Sequence, residues 1–169
     1  MTGLLDDYLI DRNLSLLDKV RIQAQVLVPV LRALRADLGK ERADALMAQA
    51  LRDWSKQLFA AIAEKIDGSP RRKWAAIQKE FGEVSGREVA FEILRHDAEA
   101  MDIDATHCRF ADFFRALGEP ELGALLICAA DFDIAAAGDG EVSLRRDQTI
   151  MLGAPRCTFR YKFAPPPLS

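Results

Sequence analysis

The sequence predicts one α+β domain over residues 1–169, in which N-terminal helices pack against one face of a mainly antiparallel C-terminal sheet. Two observations predict this fold. Up to about residue 82, apolar residues recur at spacings of three and four, which is the period of a helix with one buried face. From Glu88 onward, apolar and polar residues alternate and turn residues separate the runs, as in strands joined by hairpins. Helices followed by such a sheet are typical of the α+β class.

The first helices are defined by their caps. A short opening helix is predicted over Leu4–Asp11, and a second helix starts at a cap supplied by Asn13 or Ser15 and ends at Gly39. Pro29 lies inside this second helix, where a missing N–H predicts a kink.

Two more helices complete the first half of the chain. The third is predicted over Glu41–Ile66 and stops at Gly68. The fourth is predicted over Pro70–Phe81, because a serine cap precedes a first-turn proline, and it ends at Gly82. Residues 1–68 form a helical arm, which is the one subdivision that we expect within the domain.

The second half, residues 88–164, is predicted to carry the sheet and two helices. Its elements in order are a strand over Glu88–Leu94, a strand over Ala100–Thr106, helices over Cys108–Leu117 and Pro120–Ala136, and strands over Val142–Leu152 and Arg156–Phe163. In the first strand Val89, Phe91 and Ile93 share one face, so we expect that face to be buried. In the last strand Cys157 shares a face with three aromatic residues, and it is therefore predicted to point inward.

Composition excludes several classes of protein. A chain of 169 residues that is 50% hydrophobic can bury a core without a disulfide or a metal. The net charge of -3 offers no basic surface, so we expect neither nucleic acid nor a membrane as a partner. No apolar run reaches the ~20 residues of a membrane span. Because the acidic start is unlike a signal peptide, we expect a cytoplasmic protein with three reduced cysteines.

Cys128 and Asp131 form the first candidate site. They lie three residues apart on a predicted helix, so their side chains share a face. A neighbouring carboxylate raises the pKa of a thiol, and Cys128 would be nucleophilic only if Arg145, Arg146 or His107 offset that charge. The alternative is that Cys128 is a small buried apolar residue.

Arg146 is the second candidate, because strand alternation points it toward the core. It shares a predicted strand face with Gln148 and with the apolar residues Val142, Leu144, Ile150 and Leu152. A buried guanidinium requires a carboxylate partner. The partner is either a substrate carboxylate, which a guanidinium binds at two points, or Asp131 or Asp133 of the chain itself. A bulge that turns Arg146 outward is a further alternative.

Cys108 begins a predicted helix directly after His107. The helix dipole lowers the pKa of a thiol at that position, which makes Cys108 the best activated thiol on local grounds. Three cysteines and a histidine can bind zinc, but spacings of 20 and 29 residues between the cysteines match no compact zinc motif. We therefore expect no metal and no cofactor.

Five short motifs follow one another between residues 108 and 160. They are Cys108-Arg109-Phe110, Leu117-Gly118-Glu119-Pro120-Glu121-Leu122, Cys128-Ala129-Ala130-Asp131, Arg146-Asp147-Gln148-Thr149-Ile150, and Gly153 leading to Cys157-Thr158-Phe159-Arg160. In order and spacing this segment resembles the family of L-2-amino-thiazoline-4-carboxylic acid hydrolases. The resemblance implies that water adds to a five-membered cyclic amidine, at the carbon between nitrogen and sulfur, and opens the ring to an N-carbamoyl amino acid.

The resemblance also implies roles for individual residues. Its motif cysteines and aspartate correspond to the catalytic candidates Cys108, Cys128, Cys157 and Asp131. Its strand arginine and threonine correspond to Arg146 and Thr149, and we group His107 with these two as substrate-binding candidates.

We therefore expect a hydrolase of a small, carboxylate-bearing cyclic amidine. The nucleophile is the thiolate of Cys108 or Cys128, or a water positioned by Asp131. Three alternatives stay open: an enzyme acting on another heterocycle, a non-catalytic binding domain with the same pocket, and an interaction domain whose helical half forms a homo-oligomer. The last predicts a large exposed apolar stripe on the second and third helices and no enclosed polar pocket.

Overall fold

Helices come first and a four-stranded sheet follows, which confirms the predicted α+β class. The computed structural model describes residues 14–165, so the predicted helix Leu4–Asp11 and the alternative cap Asn13 lie outside the described residues. The α-helices are α1 (Leu16–Leu38), α2 (Lys40–Glu64), α3 (Pro70–Ser85), α4 (Arg109–Ala116), α5 (Pro120–Gly123) and α6 (Ala130–Ala136). The strands are β1 (Val89–His96), β2 (Ala100–Cys108), β3 (Val142–Arg145) and β4 (Cys157–Phe163). No helix among residues 14–165 is long and apolar enough to cross a membrane.

The helical hairpin α1–α2 is set by its caps. The Ser15 hydroxyl accepts a hydrogen bond from the N–H of Asp18 at the start of α1, and Gly39, at a φ of +79°, separates α1 from α2. Arg35 on α1 then holds three elements together, because it pairs with Asp44 of α2 at 2.6 Å and with the buried Glu119 before α5 at 2.7 Å. The hairpin is thereby tied to the second half of the chain.

Helix α3 is longer than predicted. It begins as expected, with the Ser69 hydroxyl accepting from the N–H of Arg72, but it continues through Gly82 to Ser85, so the predicted end at Gly82 is wrong. A glycine inside a helix costs only about 1 kcal/mol, and the buried side chains of Trp74 and Ile77 hold this helix on the core.

The sheet has the order β1-β2-β4-β3, and each neighbouring pair is antiparallel. The predicted strand Val142–Leu152 is wrong beyond Arg145, because the chain leaves the sheet there and forms a 3-10 turn at Ile150–Leu152. The hydroxyl of Thr158 on β4 accepts the N–H groups of Asp147 and Gln148, while the N–H of Thr158 donates to the carbonyl of Gln148. Gln148 and Leu152 are exposed, contrary to the prediction.

Strand β1 lies at the edge of the sheet, and its predicted buried face is open. Phe91 is 45% exposed and Ile93 is 65% exposed. The pairing of β1 with β2 shifts register between Ala90 and Phe91 and again between Ile93 and Arg95. The expectation of a buried face fails because the space in front of β1 is a cavity and not packed core.

Candidate functional site

A cavity of about 420 Å³ lies between α3, the inner face of the sheet and the chain around residues 127–131. Its exposed lining residues, among them Ala75, Lys79, Phe91 and Ile93, belong to α3 and β1, so the cavity opens between these two elements. Five of the residues singled out from the sequence line it: Cys108, Cys128, Asp131, Arg146 and Cys157. Four of these five, the three cysteines and Arg146, are almost fully buried, which sets them at the inner end.

A π-helical segment, Ala124–Cys128, positions the polar part of this inner end. It interrupts the predicted helix Pro120–Ala136 between α5 and α6, and such segments recur at functional sites. In a regular α-helix the N–H of Phe132 would bond to the carbonyl of Cys128, but here it bonds to the carbonyl of Ala129. The carbonyl of Cys128 accepts a hydrogen bond from Nη1 of Arg146 at 3.0 Å. The local unwinding thus supplies an acceptor that orients Arg146.

Arg146 and Asp131 form an ion pair in the cavity wall. The same Nη1 atom of Arg146 donates to Oδ2 of Asp131, and the guanidinium carbon lies 4.9 Å from the Phe132 ring and 5.7 Å from the Phe159 ring. Of the two internal partners considered, Asp131 is therefore the one present. Asp133 instead accepts from the Ser55 hydroxyl of α2 at 2.5 Å.

The carboxylate of Asp131 has an unusual environment. Burial raises the pKa of Asp131 to about 6, while the charge and hydrogen bond of Arg146 act in the opposite direction. The Asp131 side chain is 21% exposed to solvent, and the Arg146 side chain is 8% exposed. A carboxyl group that changes protonation near neutral pH and reaches a cavity is suited to proton transfer.

Cys108 and Cys128 are not activated thiols. Burial, followed by the charge of Asp131, raises the pKa of Cys128 to about 12. Burial also raises the pKa of Cys108, and it outweighs the opposite effect of the N–H groups of Ala111 and Phe110 at the start of α4. The prediction that the helix terminus lowers the pKa of Cys108 is therefore wrong, because desolvation exceeds the effect of the dipole.

Thr149 lies behind the thiols and does not line the cavity. Its Oγ1 is 3.8 Å from Sγ of Cys128 and 3.7 Å from Sγ of Cys157, and the Cys157 sulfur also accepts the N–H of Ile150 at 3.2 Å. Thr149 therefore holds two of the thiols in place, and its proposed contact with substrate stays a prediction.

The other histidine lines the cavity in place of the predicted one. His107 is 60% exposed, lies 3.4 Å from the Asp112 carboxylate and is not part of the cavity wall. His96, at the end of β1, does line it. Strict alternation along β1 would place His96 on the face opposite to Phe91 and Ile93. A bulge after Ile93 shifts this alternation by one residue, so His96 faces the cavity together with them.

Helix α3 supplies a wall of the cavity that the sequence did not indicate. Trp74 lines the cavity and packs against Tyr161 and Phe163, with ring centroids 5.2 Å and 5.1 Å away. Its indole N–H has no hydrogen-bond partner among the described residues.

Within residues 14–165, no group of three or more His, Cys, Asp or Glu side chains is arranged to hold a metal ion.

These features define a class: an α+β domain with an apolar, ligand-sized cavity and one ion pair at its inner end. The family model described as L-2-amino-thiazoline-4-carboxylic acid hydrolase matches residues 19–161, and the chain belongs to this family. No curated protein matches the chain. Solved structures match, among them the phenol-responsive sensory domain of the transcription activator PoxR with phenol, at 16% identity and a TM-score of 0.47, covering 81% of this chain and 72% of that one.

Proposed function

We propose that this protein is a hydrolase that opens a small cyclic amidine bearing a carboxylate, as the description of its family suggests. The observation that carries the proposal is the ion pair of Asp131 and Arg146 in the wall of a cavity. A protonated cyclic amidine with a carboxylate has one charge of each sign, and this pair offers the complementary charge to both.

In this proposal Arg146 binds the substrate carboxylate. Its Nη1 atom makes the bonds to Asp131 and to the Cys128 carbonyl, and within residues 14–165 no acceptor is bonded to its other nitrogens. Arginine presents several donors in one plane, so it can hold a ligand carboxylate while it keeps its bond to Asp131.

Asp131 is the proton-transfer group. It takes a proton from water as the water oxygen bonds to the ring carbon of the protonated amidine. The tetrahedral adduct then collapses: the carbon–sulfur bond breaks, its electron pair stays on sulfur, and Asp131 returns the proton to that sulfur. The remaining hydroxyl proton passes to solvent as the carbonyl of the N-carbamoyl product forms.

Water is favoured over a cysteine as the nucleophile. The raised pKa values of Cys108 and Cys128 leave both thiols protonated at neutral pH, and the thiolate is the reactive form. In this mechanism the three cysteines shape the inner end of the cavity.

The test is ring opening of 2-amino-thiazoline-4-carboxylate, followed by mass spectrometry and by titration of the released thiol. Wild-type protein should turn over, Asp131→Asn should lose roughly 10²–10⁴-fold in kcat, and Arg146→Lys should raise KM. Asp133→Asn is the matched control, since Asp133 is on the same helix and outside the cavity wall. A wild-type protein that is folded and opens no cyclic amidine of a small panel would refute the proposal.

A second candidate function is non-catalytic binding of a small molecule in the same cavity. The observation that favours it is the combination of the protonated thiols of Cys108 and Cys128 with a mainly apolar lining. The same panel separates the two functions, because a binding module would show a ligand-induced rise in Tm without turnover.

A further inference from the structure

The cavity has two chemically different parts. The inner end carries the Asp131–Arg146 pair, whereas the sheet side, apart from His96 at the end of β1, is apolar from that pair to the opening. We call this side the sheet wall; it consists of Phe91, Ile93, Met101, Ile103 and Phe159. The two parts belong to one continuous cavity.

The cavity is larger than a ligand that contacts only the Asp131–Arg146 pair would need. At about 420 Å³ it lies within the roughly 300–1,000 Å³ range of sites that enclose drug-sized ligands. A five-membered ring with an amino and a carboxyl group is a small ligand, and one that binds at the Asp131–Arg146 pair would leave the outer part of the sheet wall uncovered.

The outer part of the sheet wall is also where β1 departs from ordinary packing. Phe91 and Ile93 point into the cavity, yet they are the side chains left 45% and 65% exposed. Burying such apolar surface is favourable, so a ligand that reaches from Arg146 to Ile93 gains affinity that a smaller one cannot.

We infer that the ligand of this cavity is a carboxylate with a long apolar body, alkyl or aryl, whose head meets Arg146 and whose body lies along the sheet wall to Ile93. The assignment of the head rests on the proposed function; the apolar body goes beyond it. A small molecule is the occupant because the wall is continuous with a buried ion pair that only a ligand inside the cavity can reach.

The test measures binding of a series of n-alkanoates, from butanoate to decanoate, to the full chain by calorimetry, with n-alkanols of equal length as partners that lack the carboxylate. Each methylene buried on the wall should tighten Kd by about fourfold. The alkanols should bind more weakly than the alkanoates at every length.

Two variants on β1 locate the effect. Ile93→Glu places a charge on the sheet wall and should weaken decanoate binding at least tenfold while butanoate binding stays unchanged. Leu94→Glu is the matched control, because Leu94 is 57% exposed on the same strand but does not line the cavity. It should leave the whole series within about twofold of wild type.

Several results would overturn the inference. One is an affinity that does not rise with chain length, and another is an equal loss in Ile93→Glu and Leu94→Glu. A wild-type dimer that Ile93→Glu dissociates in sedimentation would make a second copy the occupant of the wall. Tighter binding of the whole series after Leu5→Glu and Leu9→Glu would make the chain's own first residues the occupant.

The inference and the proposed function fail separately. Alkanoates contain no ring to open, so their binding does not depend on hydrolysis. Length-dependent binding without amidine turnover refutes only the hydrolase, whereas amidine turnover without length dependence refutes only the apolar body.

Discussion

Arg146 holds Asp131 through the same nitrogen that donates to the carbonyl of Cys128, at 3.0 Å, so one guanidinium connects the π-helical segment, α6 and the loop after β3. Both side chains are largely buried, and both line the cavity, the carboxylate being the more exposed of the two. Because burial raises the pKa of Asp131 while Arg146 lowers it, the protonation of this residue is balanced near neutral pH.

The first prediction is the pH dependence of ring opening. Asp131 must be ionised to accept a proton from water, and its pKa is raised to about 6. The value of kcat/KM should therefore fall as pH decreases through about 6 and reach a plateau above about 7. Asp131→Asn should remove this dependence together with most of the activity. A profile that instead rises only in the alkaline range of the thiols would indicate a thiolate nucleophile.

The second prediction concerns the cysteines. If water is the nucleophile, Cys108→Ser and Cys128→Ser should each keep kcat within roughly tenfold of wild type, because loss of a true nucleophile costs far more. Serine at position 128 can still bond to Thr149, so the wall is preserved. The measurement is kcat at pH 7.5, with Tm as a check on folding. A folded variant that loses three orders of magnitude would assign that cysteine to the chemistry.

The features of the fold that could be predicted from the sequence are those that depend on residues close together in the chain. The start of α1 at Ser15 and its end at Gly39 follow from a side-chain cap and from a positive φ. Burial of Arg146 also followed from local alternation, although the strand itself ends one residue earlier.

The failures share a different cause, since each depends on what lies opposite in space. Phe91 and Ile93 are exposed because a cavity replaces packed core in front of β1. The raised pKa of Cys108 reflects burial by distant parts of the chain, which outweighs the local effect of the helix. Alternation along one strand cannot reveal which residues will cover that strand.

The third prediction concerns Asp104, a buried carboxylate on the outer face of the sheet. It pairs with Arg156 and Arg160, each at 2.7 Å, and these partners lower its pKa. Asp104→Asn should reduce the free energy of unfolding by about 1–3 kcal/mol at pH 7, a value kept modest because both arginines touch solvent. Asp102→Asn, two residues away on the same face, should change it by less than about 0.5 kcal/mol.

The pH dependence of this effect has a definite sign. A lowered pKa in the folded state means that the pair stabilises the protein fully above the ordinary aspartate pKa of 3.8 and less as pH falls through the folded value. Urea unfolding at several pH values should show the difference between wild type and Asp104→Asn shrinking below pH 3.8. A difference that stays constant down to pH 3 would mean that packing, and not charge, accounts for the loss.

The fourth prediction tests the packing behind the cavity at Gly123, the last residue of α5. A Cβ at this position would lie 2.5 Å from Cγ of Phe114 and 2.7 Å from Sδ of Met151, both of which are fully buried. Gly123→Ala should therefore destabilise the protein by about 1–3 kcal/mol through overpacking. Gly82→Ala is the opposite case, because a Cβ there meets nothing within 4 Å, and it should stabilise α3 by about 0.5–1 kcal/mol. Urea unfolding of both variants measures the difference, and a Gly123→Ala variant as stable as wild type would show that α5 can move away from Phe114 at little cost.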